Sequence, residues 1–323
     1  MPMIVTNPNV TRSRLVLEVA SEMIGCSDPQ DQPDYFQAKA VLRATRPGGK
    51  EVTLFGSSTA EGIEAVARRE ADLGIINPAC VLAVALRGGG QFGTPRPVRA
   101  IGVIPSWDHY VFAVRAETGL ESFEDIALKR AKLRVSMRGT ADHTLHAMFD
   151  DAAAAAGFSR QDLEAWGGGI RMEGSLPYPG TAKFAALVRG EIDAIFDEAA
   201  AYWVNEALEA GIKVLPLAEP TVRKLEAMGY HRAIIPKHDF PKLPADVLTL
   251  DFSGWTIFVH QEAEDALVVQ ICAALDARKA RIPWEEVGPL PVERMCRDAR
   301  DTPQLVPLHP AAERFWRERG YLS

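Results

Sequence analysis

Short apolar runs alternate with amphipathic stretches along almost the whole chain, and that rhythm limits what it can fold into. Apolar runs at residues 41–44, 52–55, 73–76, 98–104, 110–114, 133–136, 170–173, 192–196, 213–217, 232–235, 248–252 and 254–259 read as strands, as does 3–6. Between them, residues 12–24, 59–69, 80–86, 143–156, 181–189, 200–210 and 263–279, and a stretch after Pro220, carry apolar residues at helical spacing. In 12–24 these are Leu15, Val19 and Met23, with Gly25 as a stop. In 143–156 Leu145, Met148, Phe149 and Ala152 share one face, and Gly157 ends it. Strands alternating with helices predict an α/β fold with mostly parallel sheets. The glycine-rich run 88–93 has the letters of a dinucleotide loop, but it follows a helix rather than a strand, so no nucleotide cofactor is implied.

A length of 323 residues with 47% hydrophobic and 24% charged residues fits about two ordinary domains with cores of their own. Disorder, collagen and a disulfide scaffold are excluded by those proportions. No apolar run approaches the roughly 18 residues that span a bilayer. A net charge of −7 disfavours non-specific nucleic-acid or anionic-membrane binding. The N-terminus, Met-Pro-Met-Ile-Val-Thr-Asn-Pro, lacks a basic region followed by an apolar one, so a cytoplasmic or a trimmed chain is expected. Cys26, Cys80, Cys272 and Cys296 contain no CxxC pair and do not read as a zinc site; two disulfides and four thiols both fit their spacing.

One internal echo bears on architecture. Glu70-Ala71-Asp72-Leu73-Gly74-Ile75 recurs loosely as Glu191-Ile192-Asp193-Ala194-Ile195-Phe196. Each follows an amphipathic helix and opens a short apolar strand. Two similar lobes facing one cleft would show such a repeat.

Parallel α/β sheets hold ligands at the carboxyl ends of strands, beside helix N-termini that attract anions. Three turns qualify. The first is Gly56-Ser57-Ser58-Thr59; Ser58-Thr59-Ala60-Glu61 fits a capping box, which leaves Ser57 for a ligand. The second, Arg138-Gly139-Thr140, sets a guanidinium beside a helix start, where it matches a carboxylate bidentately. The third, residues 175–181, offers Tyr178 as a pocket wall. Asn77 follows a strand and should face the same cleft. Trp107 and His109 lie between two strand runs, where Trp107 is placed to wall a pocket and His109 to donate to an anion. Glu198, a candidate for an ammonium group, and Tyr202 complete the set. Asp142, His146 and Asp150 share a helix face, but a solvated surface explains them more simply than a metal, and no metal site is expected. GxSxG, HExxH and Walker motifs are absent.

Together these pieces resemble a known family. Gly56-Ser57-Ser58, then Glu70-Ala71-Asp72-Leu73-Gly74, then Leu133 running into Gly139-Thr140, then Gly190-Glu191-Ile192-Asp193-Ala194-Ile195-Phe196, and a tail from Leu308-His309-Pro310 to Gly320 follow the order seen in TAXI-type solute receptors of TRAP transporters. Those receptors share the type II periplasmic-binding-protein and NMT1-like fold, and the likeness runs from about Val52 to the C-terminus. The resemblance implies two α/β lobes, residues 1–108 with 218–323 and residues 109–217, closing like a hinge on a ligand. It implies a periplasmic solute-binding protein without catalysis or cofactor, which captures a small carboxylate (a dicarboxylate, an amino acid or an aromatic acid) and delivers it to TRAP permease subunits. Arg138 and the Ser57 turn would hold the anion from opposite lobes. The alternatives are a decarboxylase-like enzyme using His109 and Glu198 as acid and base, or a cytoplasmic ligand sensor.

Overall fold

A computed structural model describes residues 8–25, 35, 37–44, 49–57 and 59–322. The strand read at 3–6, Cys26 and the candidate Ser58 lie outside the described residues. In chain order the elements are α1 (Pro8–Gly25), β1 (Gln37–Leu42), β2 (Val52–Ser57), α2 (Glu61–Ala67), β3 (Leu73–Ile76), α3 (Ala79–Arg87) and β4 (Val98–Ile104). There follow β5 (Val111–Arg115), α4 (Asp125–Leu128), β6 (Arg134–Met137), α5 (Thr144–Ala156), α6 (Arg160–Ala165), β7 (Gly169–Met172), α7 (Ala182–Arg189), β8 (Ala194–Asp197), α8 (Val204–Glu209) and β9 (Ile212–Val214). The chain ends with α9 (Glu219–Met228), β10 (Arg232–Ile235), β11 (Val247–Leu250), β12 (Trp255–His260), α10 (Asp265–Arg278) and α11 (Pro310–Glu318).

Two five-stranded sheets organise these elements: β1-β2-β3-β12-β4 and β7-β6-β8-β5-β9, with β10 and β11 paired separately. The fold is α/β as expected, but the sheets are mixed rather than mostly parallel. Only β2–β3, β6–β7 and β6–β8 run parallel among the described pairings. The remaining pairings in both sheets are antiparallel. The reason lies in the connections. Helical crossovers keep strand direction, as α2 does between β2 and β3. β5 enters the second sheet directly from β4, and β12 returns to the first after the α9–β11 excursion, so neither inherits a direction from its neighbours in space. Alternation along the sequence carries no trace of this.

The internal echo is a structural repeat. Asp72 closes the start of β2: its Oδ2 accepts from Thr53 N at 2.8 Å while its own N–H donates to Thr53 O at 2.9 Å. Asp193 does the same to β6, accepting from Arg134 N at 2.8 Å and donating to Arg134 O at 2.9 Å. The parallel register agrees, since Leu54 faces Leu73 as Val135 faces Ala194. Four residues on, the two frames emerge at their carboxyl ends as Ser57 with Ile76, and Arg138 with Asp197.

Packing on the two sheets follows the apolar periodicities. Phe112, Phe123, Phe149 and Phe158 form one aromatic cluster that seats α5 on the second sheet, with ring centroids 5.0–6.4 Å apart. On the first sheet α10 and α11 bury Ile271, Cys272, Phe315 and Trp316, and the Trp316 indole donates to Ile101 O at 2.8 Å. Neither α6 nor α11 has a counterpart among the helices read from the sequence. The helix at 12–24 forms, yet Leu15, Val19 and Met23 stay about half exposed or more, at 63%, 51% and 49%. Val16 and Leu17 interrupt their stripe, so the apolar residues are spread round the helix rather than gathered on one face. Cys80, Cys272 and Cys296 are buried free thiols.

Candidate functional site at the strand ends

The carboxyl ends of β2 and β3 meet those of β6 and β8 across a cleft. A backbone bridge pairs Thr59, just before α2, with His143, just before α5, and so ties the two turns together. The cleft encloses a cavity of about 610 Å³. Ile75, Ile104, Leu176, Trp255, Ile282 and Pro283 give it largely apolar walls, and its polar groups converge from both sides: Gln37, Ser57 and Asn77 with Tyr35 on the first-sheet side, Arg138, Thr140, His143 and Glu198 on the second, with Ser175.

Each turn is held locally. Ser57 Oγ lies 2.8 Å from Thr59 Oγ1 and accepts from Thr59 N, while Thr59 Oγ1 receives Glu61 N at 3.3 Å. Thr59 thus supports the start of α2; Ser58, on which the expected box rests, lies outside the described residues. In the second sheet His143 Nδ1 accepts from Leu145 N and caps α5. Burial, helped by the Arg138 charge, lowers the His143 pKa to about 3, so the ring is neutral and free to accept. Gly139 N donates to Gly174 O at 2.9 Å, which draws residues 174–176 into the wall.

Arg138 departs from the simple expectation of a free cation. Its Nε donates to Asp197 Oδ1 at 2.7 Å and its Nη2 to Glu198 Oε1 at 2.9 Å, with 14% of its side chain exposed. Lys183, buried on α7, reaches Asp197 Oδ2 at 3.4 Å and the carbonyls of Met137 and Ser175 at 3.2 and 2.8 Å. Two cations and two carboxylates therefore balance one another in a low-dielectric wall, where an unpaired charge is costly. Burial pulls the Lys183 pKa down against the Asp197 charge. Burial also pushes the Glu198 carboxyl up despite Arg138. Its Oε2 is buried with no hydrogen-bond partner among the described residues.

Behind Glu198 stands Asp108, in the segment that crosses from β4 to β5. It accepts from Ala199 N at 2.6 Å, Ala200 N at 3.1 Å and its neighbour His109 N at 2.7 Å. These bonds pin Ala199, a non-glycine residue at φ 61, so the sharp turn that aims Glu198 is held under strain. Burial and the nearby Glu198 charge push Asp108 well above the carboxylate range.

Of the candidate residues, Ser57, Asn77, Arg138, Thr140 and Glu198 line the cavity. Thr59 and Gly139 stand behind them as supports. Tyr178 and Tyr202 touch edge to face at 6.0 Å beside the charged cluster, outside the lining. Trp107 and His109 are elsewhere. The Arg300 guanidinium covers Trp107 at 3.6 Å, and His109 Nε2 bonds Ile234 O at 3.1 Å. Burial lowers the His109 pKa to about 4, so the neutral ring spends its one N–H on that carbonyl and has none for an anion. Nor does His109 line the cavity that Glu198 borders, as an acid–base pair would require. Asp150 pairs with Arg160, and the His146 ring bonds Thr140 O, so both are engaged structurally. No group of three or more metal-ligating side chains occurs among the described residues.

Sequence reasoning missed Asp197, Lys183 and Trp255, and in the turn 175–181 it chose Tyr178 where Ser175 lines the cavity. Asp197 carried a signal: a charge closing an apolar strand, one residue before Glu198.

The NMT1-like family matches residues 49–320, and the chain belongs to that family. No curated protein matches it. Among solved structures the chain is similar to the periplasmic aliphatic sulphonate binding protein SsuA from Escherichia coli, with 15% identity over 67% of this chain and 56% of that one, at a TM-score of 0.34. It is also similar to a TctC solute binding protein from Polaromonas (18% identity, 68% and 67% covered, TM-score 0.33). A third is a protein from Xanthomonas citri bound to chloride ion (13% identity, 80% and 78% covered, TM-score 0.41). The chain thus spans less than two thirds of the length of SsuA. Among the described residues no helix is long and apolar enough to cross a membrane.

Proposed function

We propose that this protein is a solute-binding receptor of the TAXI type. Residues 1–108 with 218–323 form one lobe and 109–217 the other, and the lobes close on a small carboxylate outside the cytoplasm for delivery to a TRAP permease. The observation that carries the reading is the cavity itself, an apolar chamber whose polar groups sit at equivalent strand ends of two repeated frames. Its walls and its charge balance favour one kind of acid over the others. A second carboxylate would be desolvated with no spare cation to meet it, so an aromatic or aliphatic monocarboxylate, or an apolar amino acid, fits better than a dicarboxylate. Closure then follows from tighter binding to the closed state.

A thermal-shift panel of carboxylates tests this. A bound acid at 100 times its dissociation constant stabilises the fold by about 2.7 kcal/mol. Apolar monocarboxylates should shift the transition more than succinate-sized diacids. Arg138→Lys keeps the charge but loses the planar fork, and should weaken binding roughly tenfold. No response from any acid at millimolar concentration contradicts the proposal.

A further inference from the structure

In the form described, the guanidinium that should receive a ligand carboxylate already holds two, those of Asp197 and Glu198. We infer that the cleft takes its acid together with one proton: Glu198 yields Arg138 to the incoming carboxylate, accepts a proton from solvent, and donates its new O–H to that same carboxylate. The inference rests on the carboxylate reading above and adds to it the role of Glu198 in deciding which charge state the cleft accepts.

Three observations support it. First, Glu198 Oε1 is the atom on Arg138 Nη2, whereas Oε2 is buried without a partner, so one oxygen can release the guanidinium and the other has room for a proton. Second, the charges close to balance before any ligand arrives. Arg138 from the turn after β6 and Lys183 from α7 face Asp197 at the end of β8 and Glu198. Glu285, after α10, adds negative charge near Glu198, while burial and Glu198 itself push Asp108, in the crossing segment, toward its neutral form. Tyr178, Tyr202, the neutral His143 and the buried Cys80 thiol of α3, which burial pushes up, also face this group and supply no further cation. A ligand carboxylate therefore enters a buried cluster with a charge in excess, and one proton on Glu198 restores the balance. Third, burial already biases Glu198 toward its protonated form against the pull of Arg138. The sign follows: binding that requires protonated Glu198 strengthens as pH falls and levels off once the free protein carries that proton.

Calorimetric titration with phenylacetate and with hexanoate, at pH 5.5, 6.5 and 7.5 in two buffers of different ionisation enthalpy, counts the protons directly. Wild-type protein should take up close to one proton per ligand at pH 7.5, and its affinity should gain up to about tenfold per pH unit on acidification. Glu198→Gln should bind without proton uptake and with little pH dependence. Asp108→Asn should retain the uptake. Binding by wild-type protein with no proton uptake and a flat pH profile overturns the inference and leaves the receptor proposal standing. Uptake that persists in Glu198→Gln also overturns it, because the proton then sits elsewhere. Binding of neither acid at any pH removes the carboxylate reading and the inference with it. Should Glu198→Gln fail to fold, an infrared difference spectrum of wild-type protein decides: a protonated-carboxyl band must grow on adding either acid, and its absence is contradictory.

Discussion

The two sheets build the same frame and finish it differently. In the first, β2 and β3 end in Ser57, Ile76 and Asn77; in the second, β6 and β8 end at the equivalent places in Arg138, Asp197 and Glu198. Backbone geometry, strand order over four strands and the aspartate that closes the far end of each frame are shared. What differs is chemistry at the cleft. One lobe presents neutral hydrogen-bonding groups, while the other holds four charges in a buried square. The comparison separates scaffold from function: the frame needs its aspartates at Asp72 and Asp193, whereas the charges at 138, 197 and 198 have no counterpart in the first sheet and add desolvation cost to the second.

Breaking the buried square should have the largest effect. Asp197→Ala strands Arg138 and Lys183 without their shared partner and should cost about 3–5 kcal/mol of stability in urea unfolding at pH 7. Ile76→Val at the equivalent place should cost only about 0.5–1.5 kcal/mol. Similar losses at both positions would erase the distinction.

The two frame aspartates come next. Asp72→Ala and Asp193→Ala each remove a carboxylate bonded to a strand-opening N–H, worth about 1–3 kcal/mol. Asp193→Ala should be the more costly, since the Arg134 guanidinium also loses its bidentate partner at 2.7 and 2.8 Å. Burial raises the Asp193 pKa, but the bonds from Arg134 outweigh it and hold the carboxyl below its ordinary value. The stabilisation is therefore complete above the unfolded carboxylate pKa and is lost as pH falls through the folded one, so the Asp193→Ala penalty should shrink in acid.

Smaller per pH unit is the contrast between the helix starts. A threonine hydroxyl supports α2, whereas α5 depends on a neutral imidazole. Because His143 titrates near 3 when folded and near 6.5 when unfolded, the unfolded chain binds the extra proton between those values. Stability should then fall with acid by up to about 1.4 kcal/mol per pH unit from this one group. His143→Asn, which keeps a cap acceptor, should remove that share of the slope in unfolding curves from pH 6.5 to 4. Ser57→Ala removes a buried hydroxyl that accepts from Thr59 N, should cost about 0.5–1.5 kcal/mol, and should weaken acid binding less than Arg138→Lys.

Much of the frame was legible because it is local. β3, β4 and β10 fall where period and composition place them, and the Glu-x-Asp echo announced the repeat. Arg138, Asn77 and Glu198 were readable as residues that follow strands. The remainder depends on contacts between distant segments. Strand direction is set where the chain passes between sheets, so a mostly parallel expectation failed at β5 and β12. His109 looked like an anion donor until β10 supplied the Ile234 carbonyl to occupy it. Trp255, Ile282 and Pro283 reach the cavity from the far end of the chain, and no spacing links them to Ser57. Asp197 was hidden for a different reason: its partner Lys183 is a buried lysine on a helix that reads as amphipathic surface.

A co-crystal structure with phenylacetate or hexanoate bears most directly on the shared frame as a two-sided receptor. The account predicts the carboxylate within hydrogen-bonding distance of Arg138, the apolar body against Leu176, Ile104 and Trp255, and a contact from Ser57 or Asn77 opposite. An acid bound away from these strand ends, or an Arg138 still fully held by Asp197 and Glu198 with ligand present, would contradict it.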